Sequence, residues 1–383
     1  MKRNGVSGNL IFIGINLKKI ICVIGTRPEV IKLAPVILNL KKQGWVSLKV
    51  VATAQHREML DDLVNFFNLN IDYDLNVMKT NQSLTDITSK ILMEMDKILK
   101  LEKPDLVIIQ GDTTTVLASG LSCFYNHIKI AHVEAGLRTN NITNPFPEEA
   151  NRLLISKLVD YNFAPTENAL QNLIKENIPK DKIYLTGNTV IDSLIATSLK
   201  NPNLPKKFHF IKNKKIILIT FHRRENIGKP LNNLCSALKK LSKMYVDIHF
   251  IFSVHPNPIF KNVIHHKLAN IENIHLTEPL IYKEFISVMK NSYLILSDSG
   301  GIQEEAPALS VPVLVLRNTT ERPEAIDCGV AKLIGIKTNE IVYYVSELLS
   351  NKNLYNSMKV GASPYGDGKS AEKISKILKE KLI

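Results

Sequence analysis

Twice along this chain, short apolar runs rich in β-formers alternate with longer stretches of helical period, and that alternation leaves few folds open. In the first series, Ile20–Ile24, Leu48–Val51, Leu106–Ile109, Lys129–His132, Tyr161–Ala164 and Ile183–Leu185 read as strands. Pro28 opens a helix after the first strand, as proline does at a first helical turn. Ser83 and Asp86 carry the capping-box-like spacing that starts a long amphipathic helix. The second series supplies Ile216–Thr220, His249–Val254, Tyr293–Ser297 and Val313–Leu316 as strands, and Ala371–Leu382 as a terminal helix. Between the two, Ser198 to Lys215 holds Asn201, Pro202, Asn203, Pro205 and several lysines, the composition of a connection. At 383 residues the chain also exceeds what one hydrophobic core supports. The expectation is an α/β chain of two similar halves with parallel sheets and a ligand cleft between them.

The net charge of +13 suits an anionic partner. The charge is scattered, as in Lys212, Asn213, Lys214 and Lys215, with no basic stripe among aromatics and no zinc-finger spacing. Nucleic acid is therefore not an expected partner. Cys22, Cys123, Cys235 and Cys328 lie far apart without a C-x-x-C pair, which predicts a reducing, cytoplasmic location and no metal site. Residues 1–18 are expected to be a disordered extension. Lys2 and Arg3 before the apolar patch Leu10 to Ile15 look like a signal peptide, but the patch is too short for a bilayer and no small-residue cleavage site follows. No other segment is expected to cross a membrane.

Unusual polar clusters recur where the strands should end, which is where open α/β sheets bind ligands. Gly25-Thr26-Arg27-Pro28-Glu29, with Lys32 one turn on, joins strand to helix, and such a helix start favours an anion. An exposed turn would read the same way. Gln110-Gly111-Asp112 precedes Thr113, Thr114 and Thr115; the Asp112 carboxylate fits a helix N-cap as well as a functional acid. His132-Val133-Glu134-Ala135-Gly136-Leu137-Arg138 follows the next strand. Pro145-Phe146-Pro147-Glu148-Glu149, with Arg152, places two acids in a first helical turn, where Glu149 reads as compensation of the helix dipole. Asp112, Glu134 and Glu148 would converge on one cleft edge, and such convergence is what separates pKa values into an acid and a base.

In the second half, Thr220-Phe221-His222-Arg223-Arg224-Glu225 puts a histidine between a strand end and two arginines, a phosphate or acid–base group rather than a core histidine. The His255-Pro256-Asn257-Pro258 loop reads as mostly structural. Ser297-Asp298-Ser299-Gly300-Gly301-Ile302-Gln303-Glu304-Glu305 is the most specific cluster. Its glycine pair and hydroxyl at a helix start suit a diphosphate, and Glu304 and Glu305 are placed to accept from ribose hydroxyls. Arg322 lies beside the next strand end. There is no G-x-G-x-x-G turn, no Walker A loop, no G-x-S-x-G elbow and no metal-ligand spacing.

In this order, and from about Lys19 onward, these clusters resemble the non-hydrolysing UDP-N-acetylglucosamine 2-epimerases of bacteria and archaea. The resemblance also passes through Ala54–Met59, Gly187–Ser193 and Pro364–Gly368. It implies two Rossmann-like domains facing a central cleft in the GT-B arrangement, a homodimer and no cofactor. Residues 19–187 would form the first domain, with helix 370–383 packing back on it, and residues 188–369 a UDP-binding second domain. The implied acid–base groups are Asp112, Glu134 and Glu148 with His222. The implied substrate contacts are Arg27, Lys32, Arg152, His222, Phe285, Ser299, Gly300, Gly301, Glu305 and Arg322, with Leu280 near the uracil. An activating second UDP-sugar site would involve Gln55, Glu58, Arg223 and His255. Asn81 stands where the resemblance calls for an arginine, a departure that leaves activation open.

The chemistry is demanding because C2–H of an N-acetylhexosamine is not next to a carbonyl. Eliminating UDP across C1–C2 and re-adding it after protonation from the other face turns UDP-GlcNAc into UDP-ManNAc, and needs a base, an acid and a cationic cradle. Four alternatives stay open: a 2-epimerase of a related UDP-diacetamido sugar, a GT-B glycosyltransferase, a hydrolysing epimerase that would release free N-acetylmannosamine and UDP, and a silent nucleotide-sugar sensor. An acceptor requirement would mark the transferase, and a sensor would have no use for three carboxylates.

Overall fold

The computed structural model describes residues 17–53, 57–78, 82–320, 322–360 and 363–383. Most of the expected extension lies outside the described residues, and the first strand already begins at Lys18. In the first half the strands are β1 (Lys18–Ile24), β2 (Val46–Ala52), β3 (Tyr73–Asp74), β4 (Leu106–Gln110), β5 (Lys129–Val133), β6 (Tyr161–Ala164) and β7 (Ile183–Leu185). The second half has β8 (Lys215–Phe221), β9 (Ile248–Val254), β10 (Ile274–Thr277), β11 (Leu294–Ser297), β12 (Val313–Val315) and β13 (Ala331–Leu333). The sheet orders are β3-β2-β1-β4-β5-β6-β7 and β10-β9-β8-β11-β12-β13, with every pairing parallel. Runs such as Leu106–Gln110, buried at every position, are what a parallel strand covered on both faces requires. Strand order reverses between β1 and β4 and again between β8 and β11, and the carboxyl ends of strands at such a switch point are where open α/β sheets bind ligands.

The sequence reading did not find β3, β10 and β13. They contain two, four and three residues, and each lies at the edge of its sheet, half-covered and without an apolar run. One apolar cluster runs through both halves, joining Ile24, Leu33 and Ile37 to Leu218, Ile286 and Ile295 by way of Leu194. Leu194 belongs to the helix Thr189–Lys200, which packs against Arg27–Lys41, Tyr282–Lys290, Gly300–Ala308 and Ser370–Leu382. The Tyr282 ring also meets Phe66 and Phe67, with centroids 5.9 Å apart in each case. The expected connection is therefore anchored rather than free: Ser198 lies in that helix, and Phe208 and Ile211 of a 3-10 turn are buried. The C-terminal helix packs on Arg27–Lys41 of the first half. No helix among the described residues is long and apolar enough to cross a membrane.

Candidate active site

The turn after β1 is closed from inside. Glu29 is buried; its Oε2 accepts from the Gly25 and Thr26 amides and its Oε1 from the Thr113 hydroxyl at 2.6 Å. Burial pushes the Glu29 carboxyl up to about 7 against those hydrogen bonds. A Cβ on Gly25 would sit 2.4 Å from Thr53 Oγ1 and 2.5 Å from Thr115 Oγ1, which is why only glycine fits there. At this helix start, where the sequence allowed an anion or an exposed turn, the Gly25 and Thr26 amides are held by the chain's own carboxylate.

After β4, the N-cap of the helix Thr114–Tyr125 is Thr113 and not Asp112. Asp112 is left to accept from Arg152 Nε at 2.9 Å and Nη2 at 2.6 Å. Its loop is steadied by buried His132, whose Nε2 lies 2.7 Å from the Gly111 carbonyl. Burial, with Arg138 and Arg152 nearby, lowers His132 to about 4, so the ring stays neutral and donates that bond. Glu149 does more than offset a dipole. Fully buried, it accepts from the Thr139 and Asn140 amides and from Arg152 Nη1 at 2.8 Å, clamping the loop that leads into its helix. Glu148 is different: its Oε2 is buried and makes no hydrogen bond. It faces a cavity of about 1120 Å³ between the halves, lined also by Arg138, Arg152, Arg223, Arg317 and Arg322.

Glu134 follows β5 with φ +67°, a left-handed conformation that a non-glycine residue adopts at a cost of about 1–3 kcal/mol. Two residues on, a Cβ at Gly136 would lie 2.2 Å from the Ala169 carbonyl oxygen, so the chain must pass closely there. The Glu134 carboxylate pairs with Lys32 and accepts from Asn188 Nδ2 at 3.0 Å. Burial raises its pKa, as do Glu304 and Asp112, while Lys32 works against them. For Lys32 burial acts to lower the pKa, but Glu134 and Glu304 hold it above its ordinary value. Lys32, expected on a diphosphate, is thus engaged with a carboxylate. Glu304 was expected to accept from a ribose; it is buried, ion-paired with Arg322 and accepts from Asn188 at 3.2 Å. Glu305 is the next carboxylate on the same helix. Burial and Glu304 push it up to about 7, against Lys32 and Arg27.

In the second half, His222 Nδ1 lies 2.9 Å from Asp298 Oδ1. Asp298 is fully buried and also accepts from the His222 and Arg223 amides and from Asn226 Nδ2. Burial would raise its carboxyl, but His222 and those donors hold it below the usual range. The Nδ1–H is thereby committed to Asp298, which leaves Nε2 of the half-exposed imidazole for a ligand. Ser299 caps the helix Gly300–Ala308 with no side-chain bond, so the first amides of that helix remain open to an anion.

The geometry unites Lys32, Glu134, Glu304 and Arg322 through Asn188, and places Glu148, Arg152, Arg223 and Arg322 around one cavity. Leu280 is buried in the shared apolar cluster, and Phe285 packs against it. His255 stacks on His222 with centroids 6.3 Å apart. Gln55, Asn81 and the Glu58 side chain lie outside the described residues. Sequence reasoning gave no role to Asn188 or Asp298. Asp298 had a signal, an acid between two serines at a strand end before a glycine pair; Asn188, one residue after a glycine, had none.

The family model for UDP-N-acetylglucosamine 2-epimerase matches residues 38–379. The UDP-N-acetylglucosamine 2-epimerase of Neisseria meningitidis serogroup A is 48% identical over 372 residues, covering 95% of this chain and 99% of that protein. A crystal structure of the UDP-GlcNAc 2-epimerase from Neisseria meningitidis bound to UDP-GlcNAc superimposes with a TM-score of 0.87 at 47% identity, covering 94% of this chain and 100% of that one. A glycotransferase of kitacinnamycin, 11% identical, superimposes with a TM-score of 0.66 over 95% of this chain and 99% of its own, a likeness of fold alone that matches the expected GT-B arrangement. With the two Rossmann-like sheets and the family match together, this chain belongs to the UDP-N-acetylglucosamine 2-epimerases, a family of isomerases.

Proposed function

We propose that this chain interconverts UDP-N-acetylglucosamine and UDP-N-acetylmannosamine without hydrolysis, by eliminating UDP to 2-acetamidoglucal and re-adding it, with no metal or dinucleotide cofactor. The observation that carries this reading is the division of labour across the cleft. Asp112, Glu134 and Glu148 sit in three different environments on one side: one bound to an arginine, one to a lysine and an amide, and one with a bare oxygen. Opposite them stand the open helix start at Gly300, the Nε2 of His222 and Arg322. A carboxylate removes the C2 proton as the C1–O bond breaks, its electron pair leaving with UDP; the cationic side stabilises the departing diphosphate. A second carboxylate returns a proton to C2 from the opposite face, and UDP re-adds at C1.

The domain division falls at residues 187 and 188, with the C-terminal helix returning to the first domain. The working form is a cytoplasmic homodimer that feeds surface polysaccharide synthesis. Support for the dimer comes from exposed Met93, Leu101, Phe124 and Tyr125 on two helices that pack side by side; support for the compartment comes from four free cysteines.

The test follows C2 by NMR during incubation with UDP-GlcNAc alone in deuterium oxide. The expected result is UDP-ManNAc carrying deuterium at C2. Oxygen-18 placed in the C1–O–P bridge should scramble into non-bridging positions as UDP departs and rotates. Deuterium entry with no scrambling over many turnovers would overturn elimination, and an absolute need for an acceptor would favour a glycosyltransferase.

A further inference from the structure

We infer that Asn188 is a positioning residue that couples the protonation of Glu134 to the engagement of Arg322 across the domain boundary, an inference that rests on the epimerase reading above. Asn188 precedes the helix Thr189–Lys200, and its Oδ1 accepts from the Val190 amide at 3.1 Å as the N-cap. That bond fixes the orientation of the amide, so its NH₂ must face the other way. There the one nitrogen reaches Glu134 Oε2 at 3.0 Å and Glu304 Oε2 at 3.2 Å. The Asn188 backbone amide is anchored as well, donating to the Tyr365 carbonyl at 2.7 Å. Asn188 is buried, with a relative exposure of 2%, so water does not substitute for it.

The two carboxylates it joins do different work. Glu134 belongs to the proton chemistry of the first domain. Glu304 lies behind the anion-binding side of the second and holds Arg322. When a diphosphate draws the Arg322 guanidinium toward itself, Glu304 loses part of its counter-charge and leans harder on the shared amide. Glu134 then receives less of that donor and faces more negative field, so it binds a proton more tightly. Arrival and departure of the leaving group thereby shift the proton affinity of the group that works at C2. The charged groups around Glu134 are Lys32 from the helix Arg27–Lys41, Asp112 after β4 and Glu304 from the helix Gly300–Ala308, with Arg322 behind Glu304.

The test is a double-mutant cycle read on the Glu134 carboxyl by carbon-13 NMR of glutamate-labelled protein, the resonance being assigned by its loss in Glu134→Gln. Asn188→Ser keeps an N-cap acceptor for Val190 and removes both amide bonds. It should raise the titration of Glu134 by about one pH unit, the scale of one hydrogen bond to a charged group. Glu304→Gln should lower it, because a negative neighbour is gone. Arg322→Ala should raise it by about one unit in the parent and by less than half of that in Asn188→Ser. In turnover of UDP-GlcNAc, Asn188→Ser should lower kcat by about tenfold or more with KM within about threefold, and whichever limb of the pH profile reports Glu134 should move upward. Equal Arg322→Ala shifts in both backgrounds, or an unmoved Glu134 in Asn188→Ser, would overturn the coupling. Asn188→Asp, which keeps shape and cap but turns a carboxylate toward two others, should be worse than Asn188→Ser in kcat; parity with the parent would also overturn it. If the parent does not turn over UDP-GlcNAc, the epimerase reading fails while the titration cycle still decides the coupling.

Discussion

The two halves build the same unit, a strand, a glycine turn and a helix, and use its helix start in opposite ways. After β1 the turn is self-satisfied: Glu29, three residues inside the helix side of the turn, folds back to take the Gly25 and Thr26 amides. After β11 the helix Gly300–Ala308 begins with Ser299 and a glycine pair, and no side chain fills it. The first arrangement commits the Gly25 and Thr26 amides to the chain's own carboxylate and builds a platform on which Thr53, Thr113 and Thr115 meet. The second stays open and polar, suited to a diphosphate that must come and go. One sheet edge therefore presents carboxylates and the other presents donors and cations, the division that the proposed elimination needs. Identical topology does not imply identical use of a helix terminus; the side chain at the third helical position decides it.

The largest effect should come from neutralising the first edge. Glu134→Gln and Asp112→Asn keep the shapes but remove the proton chemistry, so epimerisation should fall by at least about 10²-fold. UDP affinity, measured by calorimetry, should change little, because the open cradle lies on the other edge. A parallel collapse of UDP binding in both variants would break the division between the edges, since it would place these carboxylates within the anion site.

The second edge should show the reverse pattern. Arg322→Ala or His222→Ala is expected to weaken UDP by roughly 1.5–3 kcal/mol, the range for hydrogen bonds to charged groups. Unchanged affinity in both would remove them from the cradle. Asp298→Asn sharpens the same point: the amide offers one acceptor oxygen where the carboxylate serves His222, Arg223 and Asn226. The His222 ring should lose its fixed orientation while the edge keeps its charge from Arg322.

Much of this comparison was legible before any coordinates. Strands such as Ile20–Ile24 and Leu106–Ile109 carry their own signal, because a strand buried on both faces must be apolar throughout. Asp112, Glu134, Glu148 and His222 could be singled out because polar clusters right after such strands have few structural reasons to exist. What could not be read was which polar groups satisfy one another. The Glu29 closure is a local Thr26-x-x-Glu29 capping box to which only the Thr113 bond adds a distant partner, whereas the Lys32 ion pair could not be foreseen because Glu134 lies far along the chain. Asn188 stayed hidden for the same reason: its partners are 54 and 116 residues away.

The self-closed turn makes a pH prediction of its own. Burial raises Glu29 from an ordinary carboxylate value to about 7 in the folded state. A folded pKa above the unfolded one contributes stability that is complete below about 4.5 and is lost as pH rises through about 7. Between those limits the parent should lose about 3 kcal/mol relative to Glu29→Gln, whose stability should be flatter with pH. Urea unfolding of both proteins at several pH values measures it. Parallel slopes would mean that Glu29 is ionised throughout, and that the first helix start is neutralised by a full charge rather than by a mostly protonated acid.

The smallest effect concerns whether the C-terminal helix belongs to the rigid first half or takes part in the cleft. The helix Ser370–Leu382 has no side-chain cap of its own from Lys369. Its first amides are satisfied instead by Asp192, whose Oδ1 accepts from Ala371 at 2.8 Å and Oδ2 from Ser370 at 3.2 Å. Asp192 lies on the helix Thr189–Lys200, four residues beyond Asn188, so this cap ties the terminal helix to the element that carries the bridging amide. Asp192→Asn keeps one acceptor and loses the other, together with the charge that favours a helix N-terminus, and should cost about 1 kcal/mol in denaturant unfolding. If the terminal helix is only scaffold, kcat and UDP affinity should stay within about twofold, because a shift well below 1.4 kcal/mol at the site is less than a factor of ten. A loss of kcat larger than the loss of stability explains would show that the cap transmits its position through Thr189–Lys200 to Asn188. The cleanest reading comes from comparing Asp192→Asn with Asp192→Ala. A scaffold role gives graded stability with constant kcat, whereas a role in holding the boundary gives kcat that falls in step with the lost acceptors.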